Sequence, residues 1–235
     1  MSADTDLIPA RLDKVRRRAD AAAERSGRSG SDVRVMLATK TQPAELILTA
    51  LKHGFTLIGE NRVQEVVAKA DELSAVPHET HLIGPLQSNK INHALRHVSC
   101  IQSIDRLDIA EKIQRRLEAQ DAVVDVYVQV NTSREDSKSG IEPAGAVHFV
   151  RSLAQFDRLK LKGLMTIGLP SEDHEEIRPS YRNLIAVQES LRGAGFEGVD
   201  ELSMGMSHDF ELAIEEGATM VRVGSSIFGE RPKPR

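Results

Sequence analysis

The chain has 235 residues, of which 40% are hydrophobic and 28% charged, with a net charge of −4. That length is ample for one substantial core, and the charge content is ordinary for a soluble protein. The balance supplies no broad basic field for nucleic acid or anionic lipid, and 3% aromatics with no Trp argue against base-stacking or sugar-stacking platforms.

Cys100 is the single cysteine, so an intrachain disulfide is excluded, and its place in a short apolar run predicts a buried, inert thiol. Residues 1–20 are charged and lack an apolar signal core. No window reaches the apolar length of a membrane span, so the expected compartment is the cytoplasm, with no membrane or nucleic-acid partner. No low-complexity linker or composition break interrupts the chain, and residues 1–235 are expected to form a single domain.

Short β-branched runs alternate with helical periodicity along the whole sequence. An N-terminal helix carries the stripe Leu12, Val15, Ala19 and Ala22, and stops at the breaker cluster Ser26 to Gly30. Its basic run, Lys14-Val15-Arg16-Arg17-Arg18, lies near Asp13 and Asp20 and reads as a solvated face. Strand one is Val33 to Thr39, ending at Lys40; Pro43 opens a helix that Gly54 closes. Strand two, Phe55 to Ile58, leads to a helix with Val63, Val66, Val67, Ala70 and Leu73 on one face. Strand three is Thr80 to Ile83, followed after Ser88 by a helix with Ile91, Leu95 and Val98 inward. Strand four is Cys100 to Ser103, and Asp105 is placed to cap a helix striped by Leu107, Ala110, Ile113 and Leu117. Strand five is Val123 to Val130, a polar loop runs from Asn131 to Gly140, and Pro143 starts the next helix. Strand six is Leu161 to Ile167, and a polar loop from Pro170 to Pro179 precedes a helix with Leu184, Ile185 and Leu191. Strand seven is Glu201 to Met204, its helix passes through Phe210, Ala213 and Ile214, and strand eight, Thr219 to Val223, ends in a short turn.

Eight βα units in about 200 residues predict a (β/α)8 TIM barrel with an extra N-terminal helix. The alternative is an open doubly wound sheet. Two features oppose it: no Gly-x-Gly-x-x-Gly follows the first strand, and polar residues recur at the carboxyl ends of many strands.

Chemistry in a barrel belongs at those ends. Lys40 closes an apolar strand, so its amine meets the barrel mouth; a lysine so placed serves as a Schiff-base nucleophile or simply snorkels into solvent. The loops after strands seven and eight, Leu202 to Asp209 and Val221 to Gly229, bring Ser207, Gly224 and Ser225 to the usual phosphate position of barrels. Arg222 lies inside a strand and needs a polar partner if it points into the barrel. An amine and a phosphate cup together imply an aldehyde that bears a phosphate. Pyridoxal 5′-phosphate (PLP) and a phosphosugar both satisfy that description.

The chain resembles the YggS/PROSC family of PLP-binding homeostasis proteins, whose fold is that of the alanine racemase N-terminal barrel. The resemblance rests on Ala38 to Pro43, Gly59 to Glu65, His81 to Lys90, Asn131 to Gly140, Gly163 to Ile167, Leu202 to Ser207 and Met220 to Arg231, in family order. It implies that Lys40 carries PLP as a Schiff base and that Ser207, Gly224 and Ser225 hold the phosphate, Ser225 standing where the family usually has threonine. It also implies that Arg222 faces the pyridine nitrogen, with Asn61, His81 and Met165 lining the pocket. A cation at that nitrogen disfavours ring protonation and weakens the electron sink, which suits a reversible PLP carrier without turnover better than a broad enzyme. With Arg235 coming soon after strand eight, the β-domain that gives alanine racemases their second base is not expected here. The expected partners are PLP and apo PLP-dependent enzymes, and the expected state is a monomer. A PLP-dependent racemase or lyase in the same barrel is the alternative, and a Schiff-base aldolase a further one.

Other residues carry weaker readings. His93 and His97 share a helix face without a third ligand, so no metal is expected. His208 and Asp209 are expected in a helix first turn, and Glu172 to Glu176 in solvent. The stretch Ser133 to Ser139 suits a lid or a docking surface, and Lys90 and Lys138 are candidates for secondary PLP attachment.

Overall fold

The computed structural model describes residues 3–133 and 139–229. In chain order the elements are α1 (Ala3–Arg25), β1 (Arg34–Ala38), α2 (Ala44–Lys52), β2 (Leu57–Glu60), α3 (Val63–Leu73), β3 (Glu79–Leu82) and α4 (Ile91–Ala94). They continue with β4 (Cys100–Ile104), α5 (Leu107–Gln120), β5 (Val124–Gln129), α6 (Ala146–Leu153), β6 (Leu159–Met165) and α7 (His174–Gly193). The last are β7 (Glu201–Met206), α8 (Phe210–Glu215), β8 (Met220–Val223) and α9 (Ser225–Phe228).

The strands pair in parallel and in sequence order, and β8 returns to β1 with Arg34 opposite Met220 and Leu37 opposite Val223. That last pairing closes the sheet and excludes the open doubly wound arrangement. The helices cover the outside, where Ile, Val and Leu from both layers form the main core. The inside is a smaller cluster of Met36, Leu57, Cys100, Tyr127, Met165 and Met220, with Ile83 packed on it. Unbranched methionines fill this narrow interior where branched chains more often stack. Cys100 is buried there, and burial pushes its thiol pKa well up, as an inert thiol requires.

Several elements differ from the sequence expectations. The acidic stretch before Pro179 is helical: α7 starts at His174, because the Asp173 side chain caps it by accepting from Glu175 N at 2.8 Å. Pro179 therefore sits inside a helix and forfeits one backbone bond there. The turn after β8 is the short helix α9. Val67, expected on the apolar face of α3, is exposed, and β5 begins at Val124, leaving Val123 exposed before it. Asp105 does not cap α5, whose N-cap is Arg106; its carboxylate instead accepts from Gly140 N at 3.0 Å. The basic run on α1 is partly docked rather than wholly solvated: Arg16 lies 5.5 Å from the Phe55 ring centroid, and Arg18 lies 4.7 Å from that of Phe210 while pairing with Glu211 at 2.6 Å.

Candidate functional site

The carboxyl ends of β1, β7 and β8 enclose a cleft of about 180 Å³. Lys40, Ser207, Arg222, Gly224 and Ser225 line it, with Ala38, Gln42, Ile83, Met206, His208 and Gly229. Strand parity explains the grouping. Met36 points into the barrel, so Ala38 and then Lys40, at steps of two, follow the same side up to the mouth.

The loops after β7 and β8 are fastened to each other. The Ser207 hydroxyl oxygen accepts from Gly224 N at 3.0 Å and from Ser226 N at 3.4 Å, while Ser226 Oγ donates to Ser207 O at 3.1 Å. Main-chain donors at the start of α9 thus converge on one acceptor oxygen, an arrangement suited to an anion. Gly224 lets β1 approach: a Cβ there would stand 2.9 Å from Ala38 O. Gly205 is required twice over, by a φ of +92° and by Ala213 Cβ, which a new Cβ would meet at 2.4 Å.

Asp209 holds the Ser207 turn from below. Its carboxylate is buried and accepts from Met206 N at 2.6 Å and from Tyr181 OH at 2.7 Å. Burial raises the Tyr181 pKa, and the adjacent Asp209 charge raises it further, so the phenol stays a donor. His208 is half-exposed, with Nε2 3.4 Å from Asp209 Oδ2. His208 and Asp209 thus precede α8, of which Asp209 is the N-cap residue. Tyr181 is not a candidate on sequence grounds, since its pairing from α7 with the distant Asp209 leaves no local signal.

Arg222 is buried, and burial lowers its pKa against the opposing pull of Tyr181 and Asp209. It stays charged because two acceptors meet it: Nη1 donates to Ser203 Oγ at 2.8 Å and Nη2 to Thr166 O at 2.7 Å. A chain continues inward. Ser203 Oγ donates to Gln102 Oε1 at 2.7 Å, Gln102 Nε2 lies 2.9 Å from His81 Nδ1, and His81 Nε2 lies 3.5 Å from Glu79 Oε2. Arg222, Ser203, Gln102, His81 and Glu79 therefore form one connected line through the barrel interior to its opposite end. Hydrogen bonding from His81, then Arg34, holds the Glu79 carboxyl down to about 2 against the effect of burial.

Asn61, His81 and Met165 do not line the cleft. His81 and Met165 are buried inside the barrel, His81 joined to Arg222 through Gln102 and Ser203. Asn61 lines a different cleft, with Arg62, Glu65, Gln87 and Lys90. Lys138 lies outside the described residues, as does most of the Ser133 to Ser139 stretch.

Residues 10–232 match the alanine racemase N-terminal domain family. The chain is 40% identical over 221 residues, 94% of its own length and 97% of the relative's, to the pyridoxal phosphate homeostasis protein of Aquifex aeolicus. The chain belongs to the pyridoxal phosphate homeostasis protein family. Among solved structures, an unknown protein from Bifidobacterium adolescentis is 42% identical with a TM-score of 0.90, covering 97% of this chain and 96% of that one. PipY of Synechococcus elongatus, solved with PLP bound, is 32% identical with a TM-score of 0.79, covering 90% of this chain and 100% of that one. Among the described residues no helix is long and apolar enough to cross a membrane.

Proposed function

We propose that this protein binds PLP reversibly at Lys40 and serves PLP homeostasis in the cytoplasm as a monomeric, non-catalytic carrier, residues 1–235 acting as one domain. The observation that carries the reading is the meeting of Lys40, Arg222 and the Ser207, Gly224 and Ser225 loops in one cleft. PipY, of the same fold, is described with PLP bound, and the Aquifex relative is named for PLP homeostasis.

The residues present fit the cofactor. PLP supplies an aldehyde for a lysine amine and a ring that can act as an electron sink. Lys40 offers the amine, and Ser207, Gly224 and Ser225 offer hydroxyl and main-chain donors for the phosphate. Arg222 presents donors alone, so a ring nitrogen facing it accepts a hydrogen bond and stays unprotonated. That weakens the electron sink and favours holding the cofactor over turning substrates over. Besides Lys40 and Arg222, His208 is the single ionisable side chain on the described lining, which leaves a poor supply of paired proton carriers. Asn61, His81 and Met165 act from outside that lining, His81 by supporting Arg222. Release of PLP to apo PLP-dependent enzymes follows from a reversible bond.

The test is the visible spectrum of purified protein incubated with PLP, for wild type and Lys40→Ala. Wild type is expected to show a protein-bound PLP band and, after borohydride reduction, PLP mass on the Lys40 peptide; Lys40→Ala should lose both. Reduction on a different lysine, or an unchanged band in Lys40→Ala, overturns the assignment. Enzyme-like turnover of single amino-acid enantiomers, lost in Lys40→Ala, rejects the carrier reading in favour of a racemase or lyase.

A further inference from the structure

Lys40 sits between two residues whose backbones are both gripped from α3. On its N-terminal side, Thr39 O accepts from Lys69 Nζ at 3.0 Å, and Thr39 Oγ1 donates to Glu60 Oε1 at 2.7 Å. On its C-terminal side, Thr41 N donates to Glu65 Oε2 at 2.6 Å. Lys69 joins the two grips: its Nζ lies 2.7 Å from Glu60 Oε1 and 3.4 Å from Glu65 Oε2. The three contacts match the three donors of an ammonium group.

Thr41 needs that grip. Its φ is +64°, a left-handed conformation that a β-branched residue adopts at a cost. The Glu65 carboxylate holds the Thr41 amide in this reversed turn, and Thr41 Oγ1 donates to Lys40 O at 2.6 Å. Glu60 in turn needs Lys69. It is buried, and its Oε2 has no hydrogen-bond partner among the described residues, so Lys69 and Thr39 supply its compensation. Glu60, Glu65 and Lys69 are absent from the described lining of the Lys40 cleft. They act on the backbone that carries Lys40.

We infer that Lys69 is a positioning residue for PLP attachment: by bridging Glu60 and Glu65 it fixes the backbone on both sides of Lys40 and so aims the Lys40 amine into the cleft. This rests on the reading that Lys40 carries PLP. Because α3 holds the lysine by its neighbours, loss of the bridge frees the Thr41 turn to relax and the amine to wander, while the barrel stays closed through its other contacts.

The experiment uses the full chain as wild type, Lys69→Met and Glu65→Gln, each checked for folding by far-ultraviolet circular dichroism. PLP affinity is measured by absorbance titration, orientation by the visible circular dichroism of the bound chromophore, and attachment by borohydride reduction and peptide mass. Lys69→Met is expected to keep PLP on Lys40 but bind it about tenfold more weakly, the loss of one charge-assisted bond to the backbone. Its visible circular dichroism should be reduced at temperatures where the fold is intact, a change that a merely structural role does not produce. Glu65→Gln, which keeps the Lys69–Glu60 pair, should move both readouts in the same direction and by less. Wild-type affinity and visible circular dichroism in folded Lys69→Met overturn the inference. Where Lys69→Met does not fold, Glu65→Gln decides it by the same criterion. Absence of a PLP adduct on Lys40 in wild type instead defeats the parent reading.

Discussion

Arg222 and Ser203, on the adjacent strands β8 and β7, form the joint at which the cleft meets the barrel interior: the guanidinium donates from Nη1 to the serine oxygen at 2.8 Å, and that serine donates onward to Gln102. Ser203→Ala removes the acceptor from a buried cation and cuts the chain to His81. The expected loss is about 1–3 kcal/mol of stability, read as a lower denaturant midpoint at unchanged slope. A midpoint equal to wild type means that Arg222 finds another acceptor at no cost.

The same joint fixes a tautomer. An arginine only donates, so Ser203 accepts from it and must donate to Gln102 Oε1. Gln102 then presents its amide N–H to His81 Nδ1, and the ring proton falls on Nε2, toward Glu79. Nitrogen NMR on labelled histidine should find the neutral His81 ring protonated at Nε2. A proton on Nδ1 contradicts the direction of the whole chain.

Glu79 makes stability depend on pH in acid. Its folded-state pKa is depressed to about 2 from an ordinary 4.5, so the unfolded chain binds the proton more readily. The contribution is therefore complete above about pH 4.5 and disappears as the pH falls toward about 2. In Glu79→Gln, thermal midpoints measured across that range should fall less steeply than in wild type. Glu60 pulls the opposite way: burial raises its pKa, so its deprotonation disfavours the folded state as the pH rises through that raised value.

Gly224→Ala tests the close approach of β8 to β1. The new Cβ meets Ala38 O at 2.9 Å, a backbone atom that cannot swing aside. We expect a destabilisation of about 1–3 kcal/mol together with weaker PLP binding, since the strands that part there carry Lys40 and Ser225. Calorimetry and PLP titration check the two effects separately. Stability lost at full affinity removes Gly224 from the requirements of the proposed phosphate loop.

Much of this was legible from local pattern. Eight alternating units specify the barrel, and the step of two along β1 brings Lys40 to the mouth on the interior side. The resemblance implies His81 and Met165 as lining residues, whereas the fold buries them inside the barrel, a depth that strand parity does not reveal. The start of α7 was hidden because Pro179 and a run of acids resemble a loop, whereas an Asp cap and acidic first turn also open helices. Glu65 and Lys69 are visible as a helical pair four apart, but their third member, Glu60, arrives from a strand, and the residue they serve lies in the turn after another. Contacts between elements leave no periodic trace.

Helix α1 is tied to the last two βα units: Arg11 donates to Ile227 O at 3.0 Å, Arg18 pairs with Glu211 at 2.6 Å and Arg25 with Glu215 at 2.8 Å. Just beyond it, Arg28 donates to Ala218 O at 2.9 Å. Together with the β1–β8 pairing, this means that α1 and β1 find their partners in elements far along the chain rather than in their sequence neighbours alone. Until β8 pairs with it, β1 has an open edge, which is a template for pairing with another chain. The same closure brings Lys40 to the Ser207, Gly224 and Ser225 loops, so the cleft proposed to hold a phosphorylated aldehyde is complete only when the sheet is.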